Sequence, residues 1–99
     1  MIYLLSKISI SDLIPIINHV KIIDIRSSQS YNNNHLPGAI NIPAEKLIIS
    51  PSNYLEKNIK YYVYCQRGLS SLNVVSILNK MGYNLVSIDG GYENWIMSQ

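Results

Sequence analysis

The chain has 99 residues, 47% of them apolar, which suits one small domain spanning residues 1–99 and is too little for two. Its formal charge of +2 comes from eight Lys and Arg spread along the chain, without the basic run that a nucleic-acid partner calls for. A single cysteine closes no internal disulfide, the first five residues are too short an apolar run for a secretory leader before Lys7, and no stretch approaches the ~20 apolar residues of a membrane span, so a reduced, soluble, cytoplasmic protein is expected.

In chain order, Ser9-Ile10-Ser11-Asp12 reads as a capping box opening a helix through Leu13, Ile16 and Ile17, with Pro15 blurring where that helix starts. Lys21 to Arg26 is a β-branched run without Gly or Pro and predicts a strand, with Asp24 and Arg26 near its carboxyl end. Ser27 to Asn34 is polar throughout and reads as a solvated turn, continued by the tight turn His35-Leu36-Pro37-Gly38. A short strand, Ala39 to Ile42, follows and stops at Pro43, which opens a short helix over Pro43 to Leu47 that Pro51 ends or redirects.

Tyr61 to Tyr64 is aromatic and β-branched and predicts a central strand. Ser71 to Met81 places Leu72, Val75, Leu78 and Met81 on one stripe, widened by Val74 and Ile77, and Gly82 caps that helix. Leu85 to Ile88 is the next strand, ended by Asp89-Gly90-Gly91, and Tyr92 to Met97 closes the chain as a helix. Strands alternating with helices imply an α/β fold: a parallel sheet covered on both faces by right-handed crossovers. Ligands of such sheets gather beyond the carboxyl ends of the strands, where Asp24, Cys65 and Asp89 all fall.

Cys65 is the candidate nucleophile. A strand that stops, a loop containing glycine and a following helix direct backbone N–H groups and the positive end of a helix dipole at one sulfur, favouring the thiolate. If Gln66, Arg67, Gly68, Leu69, Ser70 and Ser71 wrap around it, four or five N–H groups can converge there, with Gly68 allowing a left-handed or crowded backbone and the Ser70 and Ser71 hydroxyls adding donors or a helix cap. Arg67 projects from the loop to meet an anionic donor or an acidic partner, against the plainer reading of an exposed solubilising charge. Asp24 and Arg26 are supporting residues that bond loop backbone or each other. His35 pins a turn; with no second His or Cys at ligand spacing, no metal or other cofactor is expected. Trp95 and the tyrosines read as core and wall, with Tyr31 or Tyr92 bordering the pocket.

Four segments together, Asp24-Ile25-Arg26, Tyr31 with His35 through Pro43, Tyr64-Cys65-Gln66-Arg67-Gly68-Leu69-Ser70-Ser71, and Gly90-Gly91-Tyr92-Glu93-Asn94-Trp95, make the chain resemble a single-domain rhodanese. The resemblance implies a rhodanese-like five-stranded parallel sheet flanked by helices, and a cysteine carrying sulfane sulfur as a persulfide. The implied donors are thiosulfate or a persulfide and the acceptors a thiol or cyanide, with a cysteine desulfurase or thioredoxin-like protein among the partners. Arg67 matches the basic residue of thiosulfate-using rhodaneses. Asn34 stands where the family usually has glycine and is read as its substitute at positive φ; Ser30 stands where larger thiosulfate-using relatives carry an arginine. Two rival readings are a non-catalytic binding or regulatory module on the same fold and a Cys-dependent phosphatase. Modules of the first kind often lack the cysteine. The phosphatase needs arginine six positions after its cysteine, where this chain has Ser71 in a loop one residue shorter.

Overall fold

The computed structural model describes residues 6–99; the apolar opening run read against a secretory leader lies outside the described residues. Five strands alternate with helices: β1 (Lys7–Ile8), α1 (Ile10–Leu13), β2 (Lys21–Asp24), α2 (Ser28–Asn33), β3 (Ile40–Asn41), α3 (Ala44–Ile49), β4 (Lys60–Tyr64), α4 (Leu69–Lys80), β5 (Asn84–Ile88) and α5 (Gly91–Ser98). Single 3-10 segments continue α1 over Ile14–His19 and follow α3 over Pro51–Asn53. The strands form one sheet in the order β1-β5-β4-β2-β3, every pair parallel, so β4 is central as its sequence predicts.

The two-residue alternation of the strands divides the core into two layers. On one face Ile23, Val63 and Leu85 pack with Leu47, Val74, Val75 and Leu78 of α3 and α4, and Cys65 continues that face beyond the end of β4. On the other, Ile22, Tyr62, Tyr64, Val86 and Ile88 meet Ile10, Leu13 and Leu36, with Tyr31, Tyr92 and Trp95 against them. Both faces of the sheet are therefore covered, as the strand-helix alternation implies.

Several local expectations are corrected. The polar run after β2 forms a helical turn and a half, not a solvated turn: the Ser27 hydroxyl accepts from the Ser30 amide and caps α2, and Tyr31 seats it by donating to the Ala39 carbonyl at 2.6 Å. Asn34 is extended, with φ −169°, so it does not stand in for a left-handed glycine; its Oδ1 accepts from the His35 amide instead. His35 pins the turn as expected, stacked on Tyr31 with ring centroids 3.9 Å apart. At the N-terminus the Ser9 hydroxyl accepts from the Asp12 amide, but α1 lasts only to Leu13 because Pro15 turns the continuation into a 3-10 segment. β1 has no counterpart among the strands read from the residues, because two residues are too short for any periodicity. The α4 stripe is narrower than its apolar pattern: Val74, Val75 and Leu78 are buried, whereas Ile77 and Met81 are exposed.

Candidate functional site

Cys65 is the first residue past the central strand, and its side chain is 7% exposed beneath the N-terminus of α4. The loop that reaches α4 is short: Gly68 is already the N-cap, at φ +93°, and the helix begins at Leu69. That turn closes around the sulfur. The Gly68 amide donates to Sγ at 3.1 Å and the Ser71 amide at 3.2 Å, while the Ser71 hydroxyl lies 3.4 Å from it. Two amides and one hydroxyl make close hydrogen bonds to the sulfur and the Arg67 amide also acts on it, still fewer than the four or five amides expected, because the helix already begins at Leu69. Burial pushes the Cys65 thiol up, but the Ser71 hydroxyl and the amides of Ser71, Gly68 and Arg67 outweigh it, and the net pKa lies below that of an ordinary thiol.

The loop is clamped from behind by α5. The Tyr92 amide donates to the Cys65 carbonyl at 2.9 Å and the Glu93 amide to the Gln66 carbonyl at 3.0 Å. Such closeness requires glycine on both sides: a Cβ on Gly68 would lie 2.8 Å from the Gly90 nitrogen, and one on Gly91 would run into the Cys65 carbonyl oxygen.

Asp24 and Arg26 support the site from the other face of the sheet. Asp24 is fully buried and takes Arg26 Nη2 at 2.8 Å, Arg26 Nε on both oxygens, and the Tyr64 hydroxyl at 2.6 Å. Arg26 also donates from Nη2 to the Asn34 carbonyl at 2.6 Å and from Nη1 to Gln66 Oε1 at 3.3 Å, and its guanidinium lies over the Tyr92 ring, 4.1 Å from the centroid. One guanidinium thereby joins the end of β2, the turn after α2, the sulfur loop and α5. Burial pushes the Tyr64 phenol up, and its bond to Asp24 pushes it further.

Cys65, Gln66, Arg67, Leu69 and Ser70 line a cavity of about 170 Å³ over the sulfur. Leu69 and Ser70 are exposed at its rim, and neither Ser70 nor Ser71 caps α4 through its side chain. Arg67 projects outward as expected, but its Nε donates to Glu93 at 2.9 Å, a pairing the sequence did not announce across 26 positions. Ser71 points inward, fully buried, and its hydroxyl also bonds Ser87 Oγ on β5 at 2.8 Å. Ser87, Glu93 and the Tyr64 hydroxyl are site features that sequence reasoning missed; a polar residue inside the apolar β5 run was the available signal for Ser87. A larger cavity, about 600 Å³, lies at the amino ends of β2 and β4 beside Lys21, Tyr54 and Tyr61, away from the sulfur. Among the described residues no helix is long and apolar enough to cross a membrane.

A buried, amide-held cysteine at the carboxyl end of the central strand of a doubly covered parallel sheet defines an α/β domain built around one sulfur. The chain belongs to the rhodanese-like domain family, which it matches over residues 9–98. It is 35% identical over 80 residues to thiosulfate sulfurtransferase GlpE of Shewanella oneidensis, covering 77% of this chain and 75% of that one. It is 36% identical over 76 residues to thiosulfate sulfurtransferase PspE of Escherichia coli, covering 76% and 73%. The crystal structure of a rhodanese-related protein from Thermoplasma volcanium superposes with a TM-score of 0.85 at 30% identity, over 94% of this chain and 92% of that one. The protein is a sulfurtransferase of the rhodanese type.

Proposed function

We propose that Cys65 carries sulfane sulfur as a persulfide, taking it from thiosulfate or a low-molecular-weight persulfide and passing it to a thiol or to cyanide. The observation that carries this reading is the cradle itself: Sγ accepts from two amides at 3.1 and 3.2 Å at a helix N-terminus, which favours the attacking anion. With thiosulfate, the Cys65 thiolate attacks the outer sulfur, a new S–S bond forms, and sulfite leaves with the electron pair of the broken S–S bond. The acceptor thiolate or cyanide then attacks the terminal sulfur of the persulfide and the Cys65 thiolate departs. Each step regenerates an anion in the same cradle.

Gln66, Arg67, Gly68, Leu69, Ser70 and Ser71 form the substrate-facing loop in this reading, with Asp24 and Arg26 as its supports. Arg67 meets the anionic end of the donor through the guanidinium nitrogens that Glu93 leaves open. With Ser30 in α2 and Arg26 committed to Asp24, Arg67 is the exposed cation of the sulfur loop that meets this donor. A cytoplasmic setting suits a lone, reduced thiol, and a cysteine desulfurase or a thioredoxin-like dithiol suits the roles of protein donor and acceptor.

The phosphatase reading is disfavoured by Ser71, whose buried hydroxyl occupies the position where an oxyanion clamp would need a guanidinium. The test is intact mass before and after incubation with thiosulfate or with a cysteine desulfurase and cysteine. A gain of one sulfur, removed by reductant or cyanide and absent in Cys65→Ala, is the expected result. No gain from any donor would leave a non-catalytic binding module as the better account.

A further inference from the structure

We propose that Ser87 is a positioning residue for the reactive sulfur, acting through the hydroxyl of Ser71. This inference deepens the reading of Cys65 as the sulfur carrier and rests on it. Ser87 is the penultimate residue of β5, 1% exposed, on the sheet face that it shares with Leu85 and Val63. A hydroxyl in such a place is costly unless it is bonded, and among the described residues its one side-chain partner is Ser71 Oγ at 2.8 Å. Ser71, fully buried, stands between Ser87 and the sulfur, 3.4 Å from Cys65 Sγ.

Proton counting gives this row of three atoms a direction. A hydroxyl has one proton to donate, and a thiolate only accepts. When Cys65 is ionised, the Ser71 proton must face the sulfur for that hydrogen bond to exist. Ser71 Oγ is then free to accept, and the Ser87 hydroxyl is the donor that fills this role. When Cys65 is a thiol, S–H donates to Ser71, whose own proton turns to Ser87. The row thus reverses as the sulfur gains or loses its proton. Without the Ser87 hydroxyl, Ser71 loses the partner that polarises it toward the sulfur, and its proton is no longer directed there. Ser87 touches neither sulfur nor donor, so its influence passes entirely through Ser71.

The test is a double-mutant cycle read by the pH dependence of Cys65 alkylation with iodoacetamide, which requires a thiol but no sulfur transfer. Ser87→Ala is expected to move the midpoint to higher pH and to lower the thiolate fraction near neutral pH about threefold. Ser71→Ala moves it further, and Ser71→Ala with Ser87→Ala coincides with Ser71→Ala alone, because the route from Ser87 to the sulfur is already cut. Ser87→Thr and Ser87→Val form an equally bulky pair that differs in the hydroxyl: the threonine variant keeps the wild-type profile and the valine variant follows alanine. A midpoint unmoved by Ser87→Ala, an equal shift in the Ser71→Ala background, or identical threonine and valine profiles would overturn the inference. Failure to form a persulfide, with the alkylation cycle as expected, would overturn the sulfur-carrier reading and leave the Ser87 coupling standing.

Discussion

Gly68 and Gly90 meet backbone to backbone behind the sulfur, so close that a methyl group on Gly68 would sit 2.8 Å from the Gly90 nitrogen. Gly68 also has φ +93°, where an L-residue is strained. Gly38 gives the control, with φ +77° but no atom within 4 Å of its would-be Cβ. Gly38→Ala should therefore cost only the backbone term, about 1–2 kcal/mol, and leave sulfur transfer intact. Gly68→Ala should cost more in urea melts and should also slow Cys65 alkylation, since the loop must back away from α5 to admit the methyl.

Removing one partner of the Asp24–Arg26 pair strands a buried charge. Arg26→Ala leaves Asp24, 0% exposed, with the Tyr64 hydroxyl and the residue 26 amide as its remaining donors. We expect a loss of about 3–5 kcal/mol in unfolding free energy, read from the urea midpoint. A loss below 1 kcal/mol would mean that water reaches Asp24 and that the pair is not the anchor its geometry describes.

Tyr64 makes alkaline stability a second probe of the same network. Burial first, and then the bond to Asp24, raise its phenol above the ordinary value of about 10. A raised pKa favours the protonated form in the folded state, so its contribution is complete below pH 10 and is lost as pH rises through the folded value. Tyr64→Phe should cost about 2–3 kcal/mol at neutral pH, from its lost bonds to Asp24 and to the Leu36 amide. The stability difference between wild type and variant should stay level up to pH 10 and narrow above it.

Glu93 pairs with Arg67, the cation proposed to meet the donor. The Arg67–Glu93 pair is exposed, with 77% and 47% of the side-chain surface in solvent, so it is weak and easily surrendered to a competing anion. Glu93→Gln should lower the KM for thiosulfate about two- to fivefold, most visibly at low salt. Arg67→Ala should raise it by more, with both effects falling on KM rather than on kcat. Rates measured with an uncharged polysulfide donor should be insensitive to either change. A rise in KM on Glu93→Gln would instead make Glu93 the group that aims Arg67.

The strongly patterned elements were legible in the sequence. Tyr61 to Tyr64 as the central strand, Gly82 as the end of α4 and Cys65 at a strand-to-helix loop all follow from local chemistry, since β-branched runs, glycines and helical periodicity act over a few residues. What escaped was short or distant. β1 spans two residues and is recognised only by its pairing with β5; α2 carries no apolar stripe and forms because Ser27 caps it and Tyr31 docks it. The Arg67–Glu93 and Ser71–Ser87 pairs join positions 26 and 16 apart, and no local pattern encodes which polar residues will meet across a fold. The amide count at the sulfur was overestimated because the starting residue of a helix is set by its cap, here Gly68, and apolar spacing does not reveal it.

The attachment of α5 to the sulfur loop has an optical consequence. Trp95 is the only tryptophan of the chain; it sits half-buried on α5, one turn beyond the amides that hold the Cys65 and Gln66 carbonyls. If Cys65 takes up a second sulfur atom as proposed, a repacking of the loop would reach the first turn of that helix through these amides, and hence the indole. Loading and unloading of the site should therefore register in the protein's own fluorescence, giving a label-free clock for both half-reactions.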